Sequence, residues 1–171
     1  MKDARDLALK YLNTRDRTAH EIRKHLESKG VPGDEISGCL EYLAESGMID
    51  DEDYCERYIS YGTEKGRGPL RLEKELLDKG LPREMVRAAL NEHFGEGSEY
   101  EAALVYLKKL IKQQGFGDTG FAEYPEDGDF SQRGKDVARI GRRLASQGYN
   151  AAVIYELLDK LRDGTAFAEQ N

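Results

Sequence analysis

Residues 66–90 read GRGPLRLEKELLDKGLPREMVRAAL, and this stretch decides the fold. It spells two short helices with a tight stop between them. Pro69 suits the first turn of a helix, where its missing N–H costs nothing. Leu72 and Leu76 share a face at i, i+4, with Leu77 beside them. Gly80 takes the left-handed conformation that ends many helices. Pro82 and Glu84 then suit the first turn of a second helix, whose apolar positions are Met85, Val86, Ala89 and Leu90.

The pattern recurs around two other glycines. At the offsets that hold Leu72, Leu76, Val86 and Leu90 around Gly80, the chain has Ile22, Leu26, Ile36 and Leu40 around Gly30. Around Gly148 it has Ile140, Leu144, Ile154 and Leu158. An apolar or aromatic residue follows each glycine (Val31, Leu81, Tyr149), and Lys29, Lys79 and Gln147 precede them. The chain is therefore read as an all-α repeat protein of three tandem three-helix units. The expected boundaries are 1–49, 50–95 and 96–163, with a frayed tail at 164–171. No unit has apolar face enough to stand alone, so stacking is expected to give an elongated, curved body.

Outward from these glycines, helix signals fill the chain. Leu7, Ala8, Tyr11 and Leu12 mark the inner face of a first helix from Asp3 to Asn13. Thr18 with Glu21 makes a capping box for the second. Ile36, Cys39, Leu40 and Leu43 carry a third to Gly47. Asp50 or Asp51 caps the next, striped by Tyr54, Cys55, Tyr58 and Ile59, and Gly62 to Gly68 reads as a mobile link. Ser98 reads as an N-cap for a helix using Ala102, Ala103, Tyr106, Leu107, Leu110 and Ile111. Two last helices are expected at about 133–147 and 150–162. Between them and the Ser98 helix, residues 115–131 hold five acidic side chains, four aromatics and no basic ones. Their Gly and Pro content argues for a loop or irregular hairpin, solvated or used for docking.

Charged residues make up 35 % of the chain and tryptophan is absent, which suits slender helices with wide solvated faces. No apolar run is long enough to span a bilayer. The N-terminal MKDARDLALKYL carries charges where a signal peptide needs an apolar core, so a cytoplasmic location is expected. Cys39 and Cys55 read as buried small hydrophobes. The net charge of −7 is uneven: residues 95–131 carry 3 basic and 8 acidic side chains, residues 132–163 carry 7 and 4. No global basic field of the kind that drives nonspecific DNA binding is present.

Catalysis finds little support. His20 and His25 are five apart, one too many for a metalloprotease helix, and His93 stands alone. Gly66-Arg67-Gly68 lacks the preceding strand of a nucleotide-binding turn. No metal or cofactor is expected. Basic side chains do cluster: Arg15, Arg17, Arg23 and Lys24 near the second helix of the first unit, Arg67, Arg71 and Lys74 in the matching region of the second, and Arg139, Arg142 and Arg143 in the third. Regular stacking would align them as a discontinuous basic stripe.

The run AlaLeuLysTyrLeu at 8–12 with Arg15, the Glu21-Ile22-Arg23-x-x-Leu26 helix, Gly47-Met48-Ile49-Asp50-Asp51-Glu52-x-Tyr54, and Gly68-x-x-Arg71-Leu72-x-x-Glu75-Leu76-x-x-Lys79-Gly80 together resemble the RecX family. The resemblance implies a non-enzymatic bacterial regulator of the RecA recombinase that binds in the groove of the RecA filament on single-stranded DNA. Such a protein restrains ATP hydrolysis, strand exchange and the coprotease response. The expected partner contacts are Arg15, Arg17, Arg23, Lys24, Arg57, Arg67, Arg71, Lys74, Arg139, Arg142 and Arg143, on a monomer without a membrane anchor. Two other classes compete: a helix-turn-helix DNA-binding module, and a general helical-repeat scaffold for some other protein.

Overall fold

The computed structural model describes residues 3–113 and 130–163, with side chains in the second stretch from Gly134 onward. The described residues form helices α1 (Ala4–Leu12), α2 (Ala19–Ser28), α3 (Gly33–Glu45), α4 (Asp51–Glu64), α5 (Pro69–Asp78), α6 (Arg83–His93), α7 (Ser98–Gln113), α8 (Phe130–Gln147) and α9 (Ala151–Arg162). No strand occurs among them, so the chain is an all-α helical-repeat protein. The expected tail lies outside the described residues. So does the 115–131 segment, apart from its last two residues, which open α8.

The marker glycines behave alike. Gly30, Gly80 and Gly148 have φ of 75°, 79° and 87°. After each, the next residue's N–H turns back to a carbonyl in the last turn: Val31 to Leu26 at 3.2 Å, Leu81 to Leu76 at 3.3 Å, Tyr149 to Leu144 at 3.3 Å. This closes the helix through a left-handed residue that only glycine adopts without cost. The apolar residues at matched offsets are buried in all three repeats, apart from Leu158, which is half-buried beside the fully buried Leu157. Burying one such Leu or Ile contributes about 1.5–3 kcal/mol.

The described residues pack as two compact units, one from residues 3–60 and 73–90, the other from residues 61–72, 91–113 and 130–163. In the first, Ala4 and Ala8 of α1, Ile22 and Leu26 of α2, and Ile36, Cys39, Leu40 and Leu43 of α3 form one core with Ile49. Tyr54, Cys55 and Ile59 of α4, Leu76 of α5, and Val86 and Leu90 of α6 are also buried there. Burial pushes the thiols of Cys39 and Cys55 above their usual range, as expected of cysteines used as apolar fillers. In the second unit, Ala103, Leu104, Leu107, Leu110 and Ile111 of α7 meet Val137, Ile140 and Leu144 of α8 and Ile154, Leu157 and Leu161 of α9.

Two local expectations are corrected. The link expected at Gly62 to Gly68 is built into the fold: α4 continues through Gly62, and Gly62, Gly66 and Gly68 are all buried. Gly62 and Gly68 allow close approach, since an added Cβ would meet Leu72 at Gly62 and the Gly148 backbone at Gly68, and Gly66 combines close approach to Tyr106 with a left-handed φ of 80°. Ser98 does not cap α7. Its hydroxyl donates backwards to the carbonyls of Gly95 (2.9 Å) and His93 (3.1 Å), and the carbonyl of Gly97 accepts from Glu101. Between Asp50 and Asp51, Asp50 is the cap of α4, accepting from the N–H groups of Glu52 and Asp53 at 3.0 Å each. Asp51 instead accepts from the Ala19 N–H at 2.9 Å.

Candidate functional site

The entry of α2 organises the basic side chains of the first unit. Thr18, fully buried, accepts from the Glu21 N–H at 3.1 Å, and the Glu21 carboxylate accepts from the Thr18 N–H at 3.2 Å. The same carboxylate receives Arg15 at 2.6 Å and lies 3.7 Å from the Arg17 guanidinium. Burial raises the Glu21 pKa, but the Arg15 and Thr18 hydrogen bonds and the Lys79 charge outweigh it and hold the carboxyl below its ordinary value. Hydrogen bonding to Glu21 raises Arg15 in turn.

Arg17 is packed more than it is presented. Its guanidinium lies 4.0 Å from the centre of the Tyr11 ring and donates to Thr14 Oγ1 at 3.1 Å, while its Nε is buried without a hydrogen-bond partner among the described residues. His25 stacks on the same tyrosine, with ring centres 4.0 Å apart. Burial, then the Lys29 and Arg17 charges, lower its pKa. His20 lies instead against Gly80, so the two histidines have separate packing roles. No cluster of metal-ligating side chains exists among the described residues.

Arg57 is held at 2.8 Å by Asp16 and by Asp53. Arg15, Arg17 and Arg57 are thus each matched by carboxylates. Arg23 on α2 is half-buried, and Lys24 on α2 and Lys74 on α5 are exposed. None of these three has an ion pair among the described residues.

The second unit sorts its arginines the same way. Arg71 belongs to a packing joint: its guanidinium donates to Gln147 Oε1 at 3.1 Å, and its backbone occupies the space where a Gly148 side chain would stand. Arg67 is half-buried, with its stem beside Gly62. Arg139 pairs with the buried Asp136 at 3.1 Å. Arg142 and Arg143 are exposed on α8, at helical spacing from Arg139, and carry no ion pair among the described residues.

Two joints escaped the sequence reading. The Thr18 hydroxyl donates to the Lys79 carbonyl at 2.7 Å, and the Gly68 N–H donates to the Gln147 carbonyl, also at 2.7 Å. Thr18 and Gly68 stand at the same offset before Gly30 and Gly80, and that shared offset was the available signal. Lys79 also places its ammonium 5.8 Å and 5.3 Å from the ring centres of Tyr54 and Tyr58.

Comparison with known proteins agrees with this architecture. Residues 4–43 match the model of the RecX first three-helix domain, and residues 50–90 that of the second. A regulatory protein RecX of Mycolicibacterium vanbaalenii is 30 % identical over 158 residues, covering 92 % of this chain and 81 % of the relative. One from Pseudomonas fluorescens is 29 % identical over 154 residues, covering 90 % and 88 %. The crystal structure of RecX from Lactobacillus salivarius superposes with a TM-score of 0.71 over 93 % of this chain and 94 % of that one, at 19 % identity, which bears on the fold alone. By the family models and the length and level of identity to these relatives, the chain belongs to the RecX family of regulatory proteins.

Proposed function

We propose that this protein is a non-enzymatic regulator, mainly an inhibitor, of the RecA recombinase, binding the RecA filament on single-stranded DNA in the cytoplasm. It restrains ATP hydrolysis, strand exchange and the coprotease response. The observation that carries this reading, beyond family membership, is the division of the basic side chains. Lys24, Lys74, Arg142 and Arg143 are exposed without a carboxylate partner among the described residues, while Arg15, Arg17 and Arg57 are held by acidic neighbours. A single exposed charge contact is worth about 0.2–1 kcal/mol, so stable attachment needs several acting together. Tandem units, read as 1–49, 50–95 and 96–163, supply them on one chain, and joining weak contacts raises the strength of the whole.

The direct test is fluorescence anisotropy of the labelled protein with RecA–single-stranded DNA filaments, compared with single-stranded DNA alone. Binding to filaments well above binding to bare DNA is expected. Equal affinity for both would replace the reading with a DNA-binding module.

A further inference from the structure

Among the described residues, two of the three glycine corners are covered from within the chain and one is not. Lys79–Gly80 is covered by the entry of α2, through the Thr18 hydroxyl on the Lys79 carbonyl and the His20 ring where a Gly80 Cβ would stand. Gln147–Gly148 is covered by the entry of α5. There the Gly68 N–H donates to the Gln147 carbonyl at 2.7 Å, the Leu70 N–H donates to the Gly148 carbonyl at 3.0 Å, and the Arg71 backbone closes over Gly148. Lys29–Gly30 has the same backbone, with φ of 75° and the same return bond from Val31. Yet Glu27 to Gly30 are exposed, and nothing among the described residues lies within 4 Å of a Gly30 Cβ. The Lys29 carbonyl meets no donor among the described residues.

We infer that the Glu27–Gly30 corner is a docking site for the entry turn of a helix in the partner protein, seated as the α2 entry sits on Gly80 and the α5 entry on Gly148. The inference rests on the reading that the partner is the RecA filament. The entering residue is Ser, Thr or Gly, the types that can place a hydroxyl or an uncrowded N–H on the corner carbonyl. Lys24 and Lys29 are exposed beside the corner, with Arg23 half-buried, and Glu27, Asp34 and Glu35 are its exposed acidic neighbours. The helix dipole favours Asp or Glu in the first turn of the entering helix, where Lys24 and Lys29 can meet them.

A second copy of this chain fits poorly. The place held by Thr18 and Gly68 falls to Asp136 in the third repeat. Asp136 is buried within α8, which starts at Phe130, whereas α2 and α5 start directly after Thr18 and Gly68. An ionised aspartate offers only acceptors to a carbonyl. The third repeat therefore presents no matching helix entry.

The test places the photo-crosslinker p-benzoyl-phenylalanine at exposed Ser28 in the full chain and irradiates it with RecA–single-stranded DNA filaments, mapping the adduct by mass spectrometry. An adduct in the first turn of a RecA helix is expected. Gly30→Asn, which tolerates the left-handed backbone while filling the corner, should weaken filament binding about thirtyfold, on the scale of one interface hot spot. Its thermal unfolding is the control for folding. Filaments that bind normally while the adduct forms with DNA, with a second copy, or not at all overturn the inference and leave the function standing. Absence of filament binding by the unmodified chain overturns both.

Discussion

The Thr18 hydroxyl donates a 2.7 Å hydrogen bond to the carbonyl of Lys79, 61 residues further along the chain. One side chain thus caps α2 and fastens it to Lys79, the residue directly after α5. Thr18→Val keeps the volume but loses the capping acceptor and the donor together. Chemical denaturation should show a loss of about 1–3 kcal/mol, the range for a cap combined with a buried polar group left unpaired. Thr18→Ser should recover most of it.

Glycine positions should split by environment. A Cβ on Gly68 would stand 2.6 Å from backbone atoms of Gly148, so Gly68→Ala should destabilise clearly. Gly38 lies in the middle of α3, exposed, with nothing among the described residues within 4 Å of a Cβ. Gly38→Ala should stabilise by about 0.5–1 kcal/mol through lower unfolded-state entropy and better helix propensity. Thermal unfolding of the two variants side by side checks the contrast.

The repeat itself was legible, because burying Ile22, Leu26, Leu72, Leu76, Ile140 and Leu144 beside left-handed glycines leaves a periodic trace in the sequence. The capping box at Thr18 was legible for the same local reason. The Gly62–Gly68 segment was not, since a glycine chosen for close packing and a glycine chosen for freedom are the same letter. Only Leu72, Tyr106 and Gly148, brought in from elsewhere, decide between them. Among the basic residues, spacing located the clusters but not the carboxylates facing them. Asp16 reaches Arg57 across 41 residues, a pairing with no local signature.

Stability should fall with acid in two windows. The His25 pKa is lowered by burial and by neighbouring cations, so the unfolded chain takes up the proton more readily. Its contribution is therefore full above the ordinary value of 6.5 and declines as pH falls below it. Glu21 is likewise held below its ordinary 4.5, so its contribution is present above that value and lost as pH falls through the folded-state pKa. His25→Phe should flatten the first window and Glu21→Gln the second, measured as unfolding midpoint against pH.

Charge reversal should separate contact from construction. Arg142→Glu with Arg143→Glu should weaken filament binding and lower its salt dependence, with the helical circular dichroism unchanged. Arg71→Ala should lower thermal stability, because it releases the joint with Gln147 and Gly148. Anisotropy titrations at two salt concentrations, paired with melting curves, check both.

The most direct measurement of the central claim is ATP hydrolysis by the cognate RecA on single-stranded DNA, titrated with this protein at substoichiometric ratios. Inhibition well below one molecule per RecA protomer is the predicted result, as a regulator acting on the filament gives. Unchanged hydrolysis at saturating amounts of folded protein would contradict it.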